Sequence, residues 1–141
     1  MATWTDVTRL MKALPAVVRS TGKREWRVGK KSLAWERPLR RADHEALGPD
    51  APSGPILGVH IPLEGKELLL ASLPEVYFTT PHFDGYPAIL VRLPVIPVEE
   101  LRELLQQSWL SRAPKRLVAQ VLASDAAPAG GRLRPYVSPR R

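Results

Sequence analysis

No cysteine occurs anywhere in the chain, and with it go disulfide bonds, thiolate-ligated zinc and thiol nucleophiles. Histidine is scarce: His44, His60 and His82 are the only three, and no two stand at the i, i+4 spacing that puts a metal-binding pair on one helix face. A G-x-S-x-G elbow for a serine nucleophile is missing. So are a G-x-G-x-x-G turn and the upstream glycine that would make a phosphate-cradling loop of the Gly-Lys pairs starting at 22, 29 and 65. No apolar run approaches the ~20 residues of a membrane span. The opening MATWTDVTRLMKAL carries an acid and an amphipathic pattern where a secretory signal would show a basic start and a long apolar run. The expectation is a soluble cytoplasmic protein with no metal, no cofactor and no enzymatic activity.

What the 141 residues do contain is proline and positive charge. The 15 prolines run at about twice the ordinary frequency and belong in turns and loops. The net charge of +7 is unevenly spread: residues 1–50 hold 11 basic and 6 acidic side chains, 51–111 hold 3 and 7, and 112–141 hold 7 and 1. A polarised cationic surface attracts polyanions, because neutralising phosphates releases counterions. The competing reading is a charge that serves solubility alone.

Local patterns give the element order. Thr5 is placed to cap a helix whose Val7, Leu10, Met11 and Leu14 fall at i, i+3, i+4 and i+7, with Pro15 ending it. Strands are expected near 17–20, 24–28 and 31–36, the last two joined by Gly29-Lys30; alternation places Trp26, Val28, Leu33 and Trp35 on one buried face. Residues 38–55 form a long loop with one helical turn at 42–47. A strand at 56–61 and a helix at 63–72, with Leu68, Leu69 and Leu70 as its buried stripe, follow. Then come strands at 75–80 and 88–93, a helix starting at Pro97 and a second beyond Pro114. Hairpin-linked strands with helices gathered apart from them indicate the α+β class: one domain over 1–125, an antiparallel sheet packed on one face by helices, and a flexible basic tail over 126–141.

Two segments could carry function. The turn TTPHFDGYP holds His82 and Asp84, which could form a base and its orienting acid; short polar side chains in turns more often bond the backbone, and Pro81, Gly85 and Pro87 preset the bends, so an architectural corner is expected. Exposed groups on that turn could also bind a ligand. The hairpin carries Lys23, Arg24, Arg27, Lys30 and Lys31, with Arg37, Arg40 and Arg41 just beyond, and a twisted ribbon of this kind can straddle a DNA groove. Its contacts would go to phosphates, which give affinity without sequence choice.

The blocks FTTPHFDGYPAILVRL, LRELLQQSWLSRAPKRL, GPILGVHI, LMKALP and AWERPL together resemble the MmcQ/YjbR family of bacterial proteins, over about residues 5–123. That resemblance implies a small YjbR-like domain related to CyaY-like and type III secretion chaperone-like folds. It also implies DNA binding, a label that rests on an analogy of fold, and supplies no catalytic residues. Its shared motif positions include Pro81, His82, Gly85, Tyr86, Pro87, Arg92, Pro114 and Lys115. The resulting expectation is a non-enzymatic nucleic-acid-binding protein, with DNA as partner, using Lys23, Arg24, Arg27, Lys30, Lys31, Arg40, Arg41, Arg92, Lys115 and Arg116. The alternative is a chaperone-like adaptor for an acidic protein partner.

Overall fold

A computed structural model describes residues 1–124; the tail expected over 126–141 lies outside the described residues. Among the described residues five α-helices accompany a six-stranded sheet of order β1-β2-β3-β4-β6-β5, in which every neighbouring pair is antiparallel. The strands are β1 (Val17–Arg19), β2 (Glu25–Val28), β3 (Lys31–Glu36), β4 (Ile56–His60), β5 (Tyr77–Phe78) and β6 (Ala88–Arg92). The helices are α1 (Trp4–Lys12), α2 (Arg41–Leu47), α3 (Leu63–Ser72), α4 (Val98–Arg112) and α5 (Lys115–Ser124). This is the expected α+β class. None of the described helices is long and apolar enough to cross a membrane.

Helices α1 and α4 cover one sheet face. Val7, Leu10 and Met11 of α1 and Leu101, Leu105 and Trp109 of α4 pack against Trp26, Val28, Leu33, Leu57, Val59, Ile89 and Val91 in the main core. Two polar bonds fix α4: Ser108 Oγ donates to the Leu33 carbonyl at 3.3 Å and Trp109 Nε1 to the Pro15 carbonyl at 2.8 Å. The cap of α1 is Thr3, not the expected Thr5. Its Oγ1 accepts from the Asp6 amide at 3.3 Å while the Asp6 carboxylate accepts from the Thr3 amide at 2.9 Å, a reciprocal box that Thr5 has no acid at the right spacing to form. In α3 only Leu69 of the expected leucine stripe is buried; Leu68 is exposed, and the buried polar partner on this helix is Lys66.

The opposite face is roofed more thinly. Ile56, Phe78, Phe83, Ala88 and Leu90 form a second, smaller cluster, against which Trp35, Leu39 and Leu47 pack. The long 38–55 connection therefore serves as a cover over β4 and β6, with α2 as its helical part. Val18 and Arg27, cross-strand partners on β1 and β2, stay exposed, so among the described residues nothing covers the other half of this face.

One irregularity decides which side chains reach that face. Trp26 pairs with Ala34 but Arg27 pairs with Ser32, leaving Leu33 as an extra residue in β3. In such a bulge two consecutive residues oppose one partner, and the alternation is shifted beyond it. Leu33 and Ala34 both enter the main core, and Trp35, expected to share a face with Trp26, turns to the other side.

Candidate functional site

Trp35 lies across β4 at Gly58, its register partner. A Cβ at Gly58 would stand 2.7 Å from Trp35 Cζ2, so only glycine lets the indole rest on the strand. From there a cleft of about 470 Å³ opens, bounded by Trp35, Phe83 and Tyr86 and by Arg37, Arg40, His60 and His82. The His60 ring sits 4.9 Å from Trp35 and 6.0 Å from Tyr86, centroid to centroid. Burial, reinforced by the charge of Arg112, pushes the His60 pKa down to about 4 against opposing effects of the Pro87 carbonyl and Glu25, so the ring is neutral at pH 7. Its Nδ1 is buried with no hydrogen-bond partner among the described residues.

Each wall has its own support. Arg37, buried behind the cleft, reaches Asp43 of α2 at 3.1 Å, donates to the Pro38 carbonyl and stacks 5.2 Å above Phe83. Asp43 also accepts from the Arg40 amide at 2.8 Å. Burial alone would raise the Asp43 pKa, but the Arg40 amide and the Arg37 guanidinium outweigh it and hold the carboxyl below its usual range. The motif turn begins as a 3-10 turn at Pro81–Phe83 and passes through Gly85 at φ +74°. Lys66 of α3 pins it, donating from Nζ to the carbonyls of Phe83 and Tyr86 at 2.5 and 2.8 Å; the Pro87 carbonyl accepts from the Ile61 amide at 3.1 Å. Burial lowers the Lys66 pKa, with Asp84 and Glu67 opposing.

His82 and Asp84 do not pair. His82 stands edge-on to Phe83 at 4.8 Å, whereas Asp84 Oδ1 lies 3.4 Å from Thr79 Oγ1. Three side chains of the turn, His82, Phe83 and Tyr86, line the cleft.

A second concavity, of about 490 Å³, lies beside α1. Arg9 and Lys12 of α1, Arg19 of β1 and Arg24 just before β2 surround Trp4, with Thr5 and Thr8 at its wall. The Arg24 guanidinium lies 4.8 Å above the Trp4 ring and Arg19 lies 5.6 Å above Trp26, contacts that hold cations against apolar surface. Arg9 pairs with Asp6 and Arg24 with Glu36, each at 3.4 Å. Lys12 has no ion pair among the described residues.

The ten expected phosphate contacts distribute over both sides of the sheet. Arg27, Lys30 and Lys31 are exposed and without an ion pair among the described residues, while Lys23 lies 3.8 Å from Glu25 and Arg41 lies 3.4 Å from Glu45. Arg24 belongs to the groove beside α1, and Arg40 to the aromatic cleft. Arg92 is half-buried, its guanidinium 5.2 Å above Phe78 and 3.5 Å from the Glu75 carbonyl. Lys115 and Arg116 are exposed on α5, whose Leu117, Val118 and Val121 pack toward the helical face.

Arg9, Lys12, Arg19, Trp35, His60 and Lys66 escaped the sequence reading of the site. An isolated glycine inside GPILGVHI was a signal of close approach at Gly58; nothing local announced the groove.

No family model matches the chain, and no solved structure matches it. The uncharacterized protein Rv2570 of Mycobacterium tuberculosis (strain ATCC 25618 / H37Rv) is 55% identical over 129 residues, 89% of this chain and 99% of its own length. The uncharacterized protein Mb2600 of Mycobacterium bovis matches with the same identity and coverage. At that identity over nearly the full length of both partners, the chain belongs to the same family as these mycobacterial proteins.

Proposed function

We propose that this chain binds nucleic acid, DNA in the first instance, and holds it by phosphate contacts without acting on it chemically. The carrying observation is the groove beside α1, where cations from a helix, an edge strand and the start of the hairpin converge around Trp4. Those four side chains offer a surface for successive phosphates on the α1 side, and Lys30 and Lys31 at the turn of the β2–β3 ribbon, with Arg27 on its opposite face, let a duplex straddle the ribbon. Acidic neighbours of Arg9 and Arg24 are exposed or half-exposed, and pairs of that kind exchange for phosphate at little cost. The resemblance to MmcQ/YjbR proteins points in the same direction.

The test is fluorescence anisotropy with a labelled generic duplex across a salt series. With about six phosphates neutralised, the logarithm of affinity falls with the logarithm of salt at a slope near −5, and binding is micromolar at about 150 mM salt. No binding at about 50 mM salt removes the reading. The adaptor reading draws on the same groove and on exposed Val18 of the edge strand β1. Recovery of one stoichiometric acidic protein after nuclease treatment would favour it.

A further inference from the structure

The aromatic cleft on the other face of the sheet is not needed for phosphate binding, and it is built differently from the groove. Trp35, His60 and Tyr86 form a wall of rings, with His60 between the other two. A turn serving only as a corner would bury its aromatic residues, yet Tyr86 remains 47% exposed. The wall is set in place beforehand: Gly58 seats the indole and Lys66 fixes the two carbonyls flanking the Phe83–Tyr86 bend. His60, 8% exposed, keeps an orphan Nδ1.

Charge narrows the ligand. Arg37 is neutralised by Asp43, and His60 is uncharged at pH 7. Arg40, exposed at the rim, makes no ion pair within 4.0 Å among the described residues, though its charge also acts on Asp43, so the three groups together leave the cleft one net positive charge. A single guanidinium suits a monoanion, and its planar fork matches a carboxylate; a phosphate monoester carries about two negative charges. The volume of about 470 Å³ falls in the range of small-molecule sites and accommodates two fused rings.

We propose that this cleft binds a small planar aromatic carboxylate, its ring stacked against Trp35 and Tyr86 and its carboxylate held by Arg40, with His82 at the rim. The experiment is isothermal titration of the full chain with naphthalene-2-carboxylate, alongside its neutral carboxamide and adenosine monophosphate. Binding of the carboxylate at or below about 1 mM is expected, with the carboxamide weaker by about tenfold or more. Arg40→Ala should match that loss. Tyr86→Ala should also weaken binding by about tenfold, and because both side chains are exposed these variants should keep the parent unfolding midpoint. Lys12→Ala, in the groove on the other face, should leave the titration unchanged. Equal affinity for the carboxamide, binding undiminished in Arg40→Ala, or no binding of the carboxylate overturns the proposal. Tighter binding of adenosine monophosphate that is lost in Tyr86→Ala overturns the carboxylate assignment and makes the cleft a nucleotide site.

Discussion

Gly58 and His60 sit two positions apart on β4, facing the same way, and each carries a distinct physical burden. Adding one methyl group at Gly58 drives it into the Trp35 ring at 2.7 Å. Because the indole rests on backbone and cannot swing aside without leaving the small cluster, Gly58→Ala should destabilise the fold by about 1–3 kcal/mol, read as a lower urea midpoint. His60 has its folded pKa depressed to about 4 from 6.5. The unfolded chain therefore takes up its proton first as pH falls, and stability declines from about pH 6.5 to about pH 4, by up to about 3 kcal/mol. Urea melts across that window should show the slope in the parent protein and a flatter profile in His60→Gln. Asp6 and Asp43, both held below the usual carboxylate range, lose their contribution at still lower pH and leave the window to His60.

Helix α2 is seven residues long, too short to persist by itself. What keeps it over the sheet is Leu47 packed on the second cluster and the buried Arg37–Asp43 pair at 3.1 Å. Removing the acid leaves the guanidinium buried and uncompensated, a defect of about 3–5 kcal/mol. Asp43→Ala should lower the urea midpoint accordingly and speed hydrogen exchange of the amides at 41–50; Asp43→Asn, which retains an acceptor for the Arg40 amide, should cost less. The β2–β3 hairpin shows the opposite case, an element written locally. Gly29 at φ +62° followed by Lys30 closes the two-residue turn, and the register Val28 to Lys31 follows from it. Helix α4 was equally plain, because its apolar positions recur at helical spacing over fifteen residues and prolines stand at both ends.

Among the described residues the positive charge forms no single face. The α1 groove and the aromatic cleft lie on different faces, and Lys115 with Arg116 belongs to the helical layer. Arg27, Lys30 and Lys31 make no ion pair among the described residues, so replacing all three by alanine should leave the unfolding midpoint nearly unchanged. In the salt series the same triple variant should flatten the slope by about 3, at roughly 0.9 per phosphate contact. A slope that does not change would place the nucleic acid in the α1 groove alone.

Periodicity, proline and turn glycine wrote the helices, the hairpin and the α+β class into the chain, since these depend on residues a few positions apart. Thr3 and Thr5 both fit a cap, and only the Asp6 carboxylate chooses Thr3. Alternation alone puts Trp35 on the Trp26 face, and the structure turns it to the other, because a bulge is a property of two paired strands and one extra residue reverses every side chain beyond it. The cleft needed β3, β4, α3 and the 81–87 turn to meet; the groove needed α1 against β1. Those meetings are set by which apolar surfaces bury each other, which no stretch of sequence specifies without its partner.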